Sequence, residues 1–112
     1  MLRSNIEVLE REGIEVKEVR SIGGGARSRL WNQIKADVLQ RPILTVHMEE
    51  NAALGVAILA GLATGVFNSL EYAVKSMVSI KEKFIPLMVN KNLYEKQYKI
   101  YVELYKRLKE LF

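Results

Sequence analysis

The sequence predicts an α/β fold in which few strands are surrounded by helices. Three consecutive stretches carry that expectation. Residues 14–22, IEVKEVRSI, alternate apolar and polar side chains with one slip, as a strand with one exposed face does. Gly23, Gly24 and Gly25 follow directly, and then Leu30, Trp31, Ile34, Val38 and Leu39 recur at helical spacing. Beyond Pro42, residues 43–48, ILTVHM, form a short and nearly unbroken apolar run, the pattern of a strand covered on both faces. Strand, glycine turn, helix and strand together make a crossover unit, parallel and right-handed by strong default.

The remaining elements follow in order. Residues 3–12 read as a short helix, with Ser4 available as its cap and Gly13 as its stop. The strand at 14–22 belongs at the edge or end of a sheet. The helix after the glycines spans about 28–40, and Pro42 forbids its continuation. Residues 51–65, NAALGVAILAGLATG, are apolar all round, which predicts a buried helix lying close against other backbone through Gly55, Gly61 and Gly65. Asn68 or Ser69 caps a further helix over 69–79, and Pro86 sits in a linker. A long helix over about 90–112 ends the chain, with Tyr94, Tyr98, Tyr101, Tyr105, Leu108 and Phe112 on one face. Two strands do not make a stable parallel sheet beneath this many helices. The chain is therefore expected to be a single segment, 1–112, of a larger fold.

Composition narrows the function classes. The chain has 112 residues, 49% of them apolar and 27% charged, near the average of globular domains. It has no cysteine, which excludes disulfides and thiolate metal sites and favours a cytoplasmic setting. One histidine, His47, cannot make a histidine-rich metal site; it is read as packed or at the surface. The longest apolar run, Ala52 to Phe67, is broken by three glycines and a threonine. It falls short of the ~20 residues a membrane span needs. A net charge of +4 tilts the surface toward anionic partners, but no block of five like charges occurs. Nucleic acid and membrane are accordingly not expected as partners.

The glycine turn is the candidate site. Glycines between a strand and a helix permit positive φ and remove the Cβ atoms that hold a ligand off the backbone. Amide groups at the helix N-terminus then favour an anion. Ser28 is placed either to cap the helix or to donate to a ligand, and Arg27 and Arg29 bring positive charge nearby. Taken alone, the turn fits a bare tight turn equally well. It is not a P-loop, since no Gly-Lys-Ser/Thr follows. A dinucleotide fingerprint would need glycine where Ser28 stands, although Glu49 and Glu50 stand 24 and 25 residues after Gly25, near the place of its ribose-binding acid. Their other reading, acids complementing the dipole of the following helix, is preferred. Asp37 is expected to be solvated rather than metal-binding, and Trp31, Gln33 and Asp37 to be packing and helix-surface positions. The tyrosine stripe reads as core or interface rather than a base-stacking platform.

The stretch GGGARSRLWNQIKADVLQRPI followed by EENAALGVAILAGLATG resembles the C-terminal segment of the FGGY carbohydrate kinases, and the tyrosine-rich end, YEKQYKIYVELYKRLKELF, resembles the last helix of members that act on xylulose. The resemblance covers nearly the whole chain. It implies an actin-like, ribonuclease-H-like ATPase fold with ATP in the cleft between two domains. It further implies that Gly23, Gly24 and Gly25 approach the nucleotide and that Ser28 lies near the adenine or ribose. The family's Asp-x-Gly-Thr phosphate loop and its catalytic aspartate have no counterpart in the sequence. No catalytic or metal-binding residue is therefore assigned, and Mg belongs to the complete enzyme. The expected partners are ATP or ADP and an N-terminal kinase domain, with a homo-oligomer through exposed apolar surface as a further expectation. Competing classes are a non-enzymatic oligomerisation module and a dinucleotide-binding module.

Overall fold

The computed structural model describes residues 1–47 and 51–111. Helix α1, Leu2–Arg11, opens the chain. Ser4 is not its cap: the helix begins directly after Met1, and the Ser4 hydroxyl donates back to the Met1 carbonyl at 2.6 Å. Gly13 does stop it. With φ +83°, Gly13 lets its own N–H reach the Glu10 carbonyl and the Ile14 N–H reach the Leu9 carbonyl, at 3.1 and 3.0 Å. This is the paired bonding that closes a helix through a left-handed residue.

The strand expected over 14–22 is shorter. Strand β1 is Val19–Ser21, and it pairs in parallel with β2, Ile43–Val46. A four-residue partner cannot pair with more, so residues 14–18 are held otherwise, by the Arg41 Nε donating to the Val16 carbonyl at 2.8 Å. A third strand, β3 (Ile80–Phe84), joins β2 antiparallel, giving the order β1-β2-β3 with β1 at an edge. The sequence reading missed β3 because Lys81, Glu82 and Lys83 fill its middle. Its Ile-Lys-Glu-Lys-Phe alternation was the available signal, and charges of this kind are how edge strands resist pairing with other chains. The central strand is covered as expected, with Ile43, Leu44 and Thr45 all buried.

Helix α2, Arg29–Leu39, crosses between β1 and β2 and ends with Gln40 in the left-handed region at φ 53°. Its buried face differs from the apolar stripe. Leu30 and Trp31 are 72% and 50% exposed, while Asn32, Ala36, Asp37 and Leu39 are buried. Ala36 and Leu39 pack with Ile43 and Phe84 into the main core, and Ile6 and Val19 close its sides.

Helices α3, Asn51–Ala63, and α4, Leu70–Met77, form a hairpin inserted between β2 and β3. Ser69 caps α4, its hydroxyl accepting the Tyr72 N–H at 3.2 Å. The hairpin has its own cluster of Leu54, Ile58 and Ala73. Helix α3 is not the buried helix its composition predicts: Val56 and Leu59 are 67% and 64% exposed, and nothing among the described residues covers that face. Gly61 does serve close approach, since a Cβ there would stand 2.5 Å from the Phe67 ring.

Helix α5, Met88–Leu108, completes the fold, and a short 3-10 turn follows it. Its first half lies on α2 and α1. Arg3 of α1 bonds Glu95 at 2.8 Å and lies 4.1 Å above the Tyr98 ring, whose hydroxyl donates to Glu7 at 2.7 Å. Burial, and then that bond to Glu7, push the Tyr98 hydroxyl above the usual tyrosine range. The tyrosine face is not a continuous core: Tyr94 and Tyr98 are half-buried, Tyr101 and Tyr105 are exposed, and Phe112 lies outside the described residues.

Candidate functional site

The glycine turn leaves the end of β1 and enters α2. Gly23 has φ +76° and ψ −170°, a conformation in which any Cβ is strained. It starts one 3-10 turn, Gly24–Arg27, closed by the Ala26 N–H donating to the Gly23 carbonyl at 3.0 Å. A Cβ on Gly24 would meet nothing within 4 Å, so its outer side is open space. The Gly24 and Gly25 N–H groups make no hydrogen bond among the described residues. The backbone can thus be approached closely, with donors unspent, which fits an anionic ligand.

Beneath the turn, the first turn of α2 is tightly engaged. Ser28 caps the helix, its hydroxyl accepting the Trp31 N–H at 3.2 Å. Of the two roles the sequence leaves open, capping is present, and accepting an N–H does not engage the hydroxyl's own proton. The Trp31 ring stands 3.8 Å from where a Gly25 Cβ would be, and its far side lines an apolar groove of about 350 Å³ with Ile34, Val38, Tyr94 and Tyr98. Asn32, 1% exposed, donates from Nδ2 to the Ala26 carbonyl at 2.7 Å. Its Oδ1 has no partner among the described residues. Leaving a buried acceptor unpaired costs about 1–3 kcal/mol. Sequence reasoning missed Asn32, because a polar residue beside Trp31 reads as a surface position.

The charges near the turn are largely committed. Arg29 is bound to Glu82 of β3 at 2.6 Å, so it braces α2 against the sheet rather than adding free charge to the turn. Lys35 reaches back to the Ser21 hydroxyl at 2.5 Å, and burial lowers its ammonium below the usual lysine range.

Asp37 departs furthest from expectation. It is 2% exposed, not solvated. One oxygen accepts the Leu87 N–H at 2.7 Å and the Gln33 amide at 2.9 Å, and the other accepts the Asn90 amide at 2.7 Å. Leu87 and Asn90 are the cap and third residue of α5, so Asp37 acts as a cap for that helix from outside it. Burial pushes its carboxyl up, but the bonds from Leu87, Asn90 and Gln33 outweigh it and hold the group below the ordinary aspartate range. Gln33 extends the network by donating to the Ile85 carbonyl at 2.9 Å. Trp31 packs beside the turn as expected, while Gln33 and Asp37 together tie α2 to the segment that enters α5.

His47 is exposed just beyond β2, and Glu49 and Glu50 lie outside the described residues. No group of three His, Cys, Asp or Glu side chains that could hold a metal occurs among the described residues. Nor is any described helix long and apolar enough to cross a membrane.

A parallel strand, glycine turn, helix and strand, with an open backbone face at the turn, define an α/β crossover unit. Comparison with known proteins makes the family specific. The FGGY family of carbohydrate kinases, C-terminal domain, matches residues 1–64, and the chain belongs to that family. Over 110 residues it is 38% identical to the xylulose kinase of Staphylococcus epidermidis, an alignment covering 98% of this chain and 22% of that protein. Its fold matches the crystal structure of xylulose kinase from Rhodospirillum rubrum with a TM-score of 0.84 and 30% identity, over 98% of this chain and 22% of that one. The glycerol kinase of Plasmodium falciparum, solved with ADP, shares the fold at a TM-score of 0.78 and 23% identity, over 95% of this chain and 21% of that one. The chain thus spans about a fifth of the length of the relatives it matches. The fold is the mixed α/β, actin-like ATPase fold of these kinases.

Proposed function

We propose that this chain forms one wall of the ATP site of a carbohydrate kinase, as the C-terminal portion of its second domain, and that the complete enzyme phosphorylates a sugar such as xylulose. One observation carries the reading. The turn Gly23–Gly25, inside the stretch matched by the kinase family, keeps an open outer side and unbonded amides above a braced helix start. Gly23, Gly24 and Gly25 approach the nucleotide, and Ser28 contributes by fixing the start of α2. ATP supplies the transferred phosphoryl group, and Mg is held by other parts of the enzyme. Phosphoryl transfer needs nucleophile, metal and phosphate clamps positioned together, so the role of this chain is to bind and orient the nucleotide. A kinase drawing on the cellular ATP pool belongs in the cytoplasm. The N-terminal kinase domain is the principal partner, and the uncovered apolar face of α3 is a natural contact for it.

Isothermal titration of the chain with ATP or ADP tests the nucleotide reading. Saturable binding that Gly24→Val abolishes supports it. An enzyme carrying this segment that loses neither nucleotide binding nor activity on Gly24→Val would refute it. The exposed Val56 and Leu59 also favour a second reading, self-association through α3. Sedimentation equilibrium decides that point: a monomer at all concentrations rules out the oligomer.

A further inference from the structure

Asn32 lies beneath the glycine turn, almost wholly buried, and its side chain is bonded to the backbone of the turn rather than to its own helix. Its Nδ2 donates to the carbonyl of Ala26, the residue whose N–H closes the turn onto Gly23. The neighbouring side chains are engaged elsewhere: Ser28 with the Trp31 amide, Arg29 with Glu82. Asn32 is therefore the described buried side chain that grips the turn directly. It does so with its Oδ1 unpartnered among the described residues. Buried polar groups in native proteins nearly always keep at least one hydrogen-bond partner, and the Ala26 carbonyl is the one this side chain has.

We infer that Asn32 is a positioning residue for the nucleotide. By clasping Ala26 it holds Gly23–Ala26 in the one turn of 3-10 helix that leaves the Gly24 and Gly25 amides unbonded, and affinity for the adenine nucleotide depends on that clasp. The inference rests on the nucleotide reading above. Asn32→Asp separates positioning from packing. The aspartate has nearly the same shape, but when ionised it is an acceptor only and faces the Ala26 carbonyl without a proton to give. When protonated it donates as asparagine does, and burial raises the pH at which it protonates.

The test is calorimetric titration of the 112-residue chain with ADP between pH 5.5 and 8, each variant compared with the unaltered chain at the same pH. The fluorescence of Trp31, the chain's one tryptophan, reports the turn directly. Asn32→Asp should bind ADP about tenfold more weakly at pH 8, the scale of one hydrogen bond, and recover most of that as the pH falls. Circular dichroism melts run alongside separate lost affinity from lost fold. Should Asn32→Asp fail to fold, Asn32→Ser replaces it, with the same loss and no recovery at low pH. No ADP binding by the unaltered chain overturns the nucleotide reading and this inference together. Binding that Gly24→Val weakens and that Asn32→Asp leaves unchanged at every pH overturns the inference alone. So does a loss that tracks the melting temperature and ignores pH.

Discussion

The sheet with α2 and α5 on one side, and the α3–α4 hairpin on the other, are built by different means. In the first, apolar packing of Ala36, Leu39, Ile43 and Phe84 is overlaid by directional bonds: Asp37 to Leu87 and Asn90, Asn32 to Ala26, Arg29 to Glu82. In the hairpin, Leu54, Ile58 and Ala73 pack together, and the described hydrogen bonds are local caps and turns. Hydrophobic contact is non-directional, whereas buried polar bonds fix one geometry. The half that carries the glycine turn is the half whose geometry is fixed.

The sharpest way to break that contrast is to remove Asp37. Asp37→Ala leaves the Leu87 N–H and the Asn90 amide without their acceptor and the Gln33 amide with the Ile85 carbonyl alone. It should cost about 3 kcal/mol or more, read as a lower urea midpoint, with α5 losing amide-exchange protection first. In the hairpin the comparable lesion is steric. Gly61→Ala forces the Phe67 ring aside and should cost about 1–3 kcal/mol, seen as faster exchange in α3 and α4 while α2 stays protected. If α2 exchanged equally fast, the two halves would not be separate units.

Acid offers a gentler probe of the same division. The folded Asp37 carboxyl sits below the ordinary aspartate value of about 3.9, so its contribution is fully present above that value. It is lost as the pH falls from there through the lower folded value. Melting temperature followed from pH 6 to 2 should fall over that window in the unaltered chain and fall less in Asp37→Asn. The smallest effect comes from matched caps. Ser28→Ala and Ser69→Ala each remove one bond to a helix N–H and should cost about 1 kcal/mol. Exchange measurements should show the first loosening α2 and the second only α4.

The glycine turn, the Pro42 stop, capping as one of the two roles open to Ser28, and the covered strand β2 were legible, because each is local chemistry written in adjacent residues. The kinase family was legible from the same stretch. The alternation over 14–22 was a weaker guide: only Val19–Ser21 is strand, and there Ser21 is buried while Ile22 is exposed. What escaped depended on distant partners. Asp37 looks like a solvated helix residue until Leu87 and Asn90, 50 and 53 positions away, come to meet it. Asn32 looks like surface until Ala26 folds over it. At α3 the converse holds: an apolar composition predicts burial, yet Leu54, Ile58 and Leu62 turn inward while Val56 and Leu59 stay exposed. Strand β3 hid behind its lysines, since pairing with β2 is a property of the backbone.

The neck of the hairpin has a topological consequence. The His47 N–H donates to the Ser79 carbonyl at 3.1 Å, one step beyond the ladder that pairs β2 with β3. The chain therefore leaves the sheet and returns to it at one point, with α3 and α4 as an excursion between. Replacing that excursion with a tight two-residue turn would join β2 to β3 as an ordinary β-hairpin. The sheet, the clasped turn and both flanking helices would then form a shorter protein on which nucleotide binding could be measured without α3 or α4.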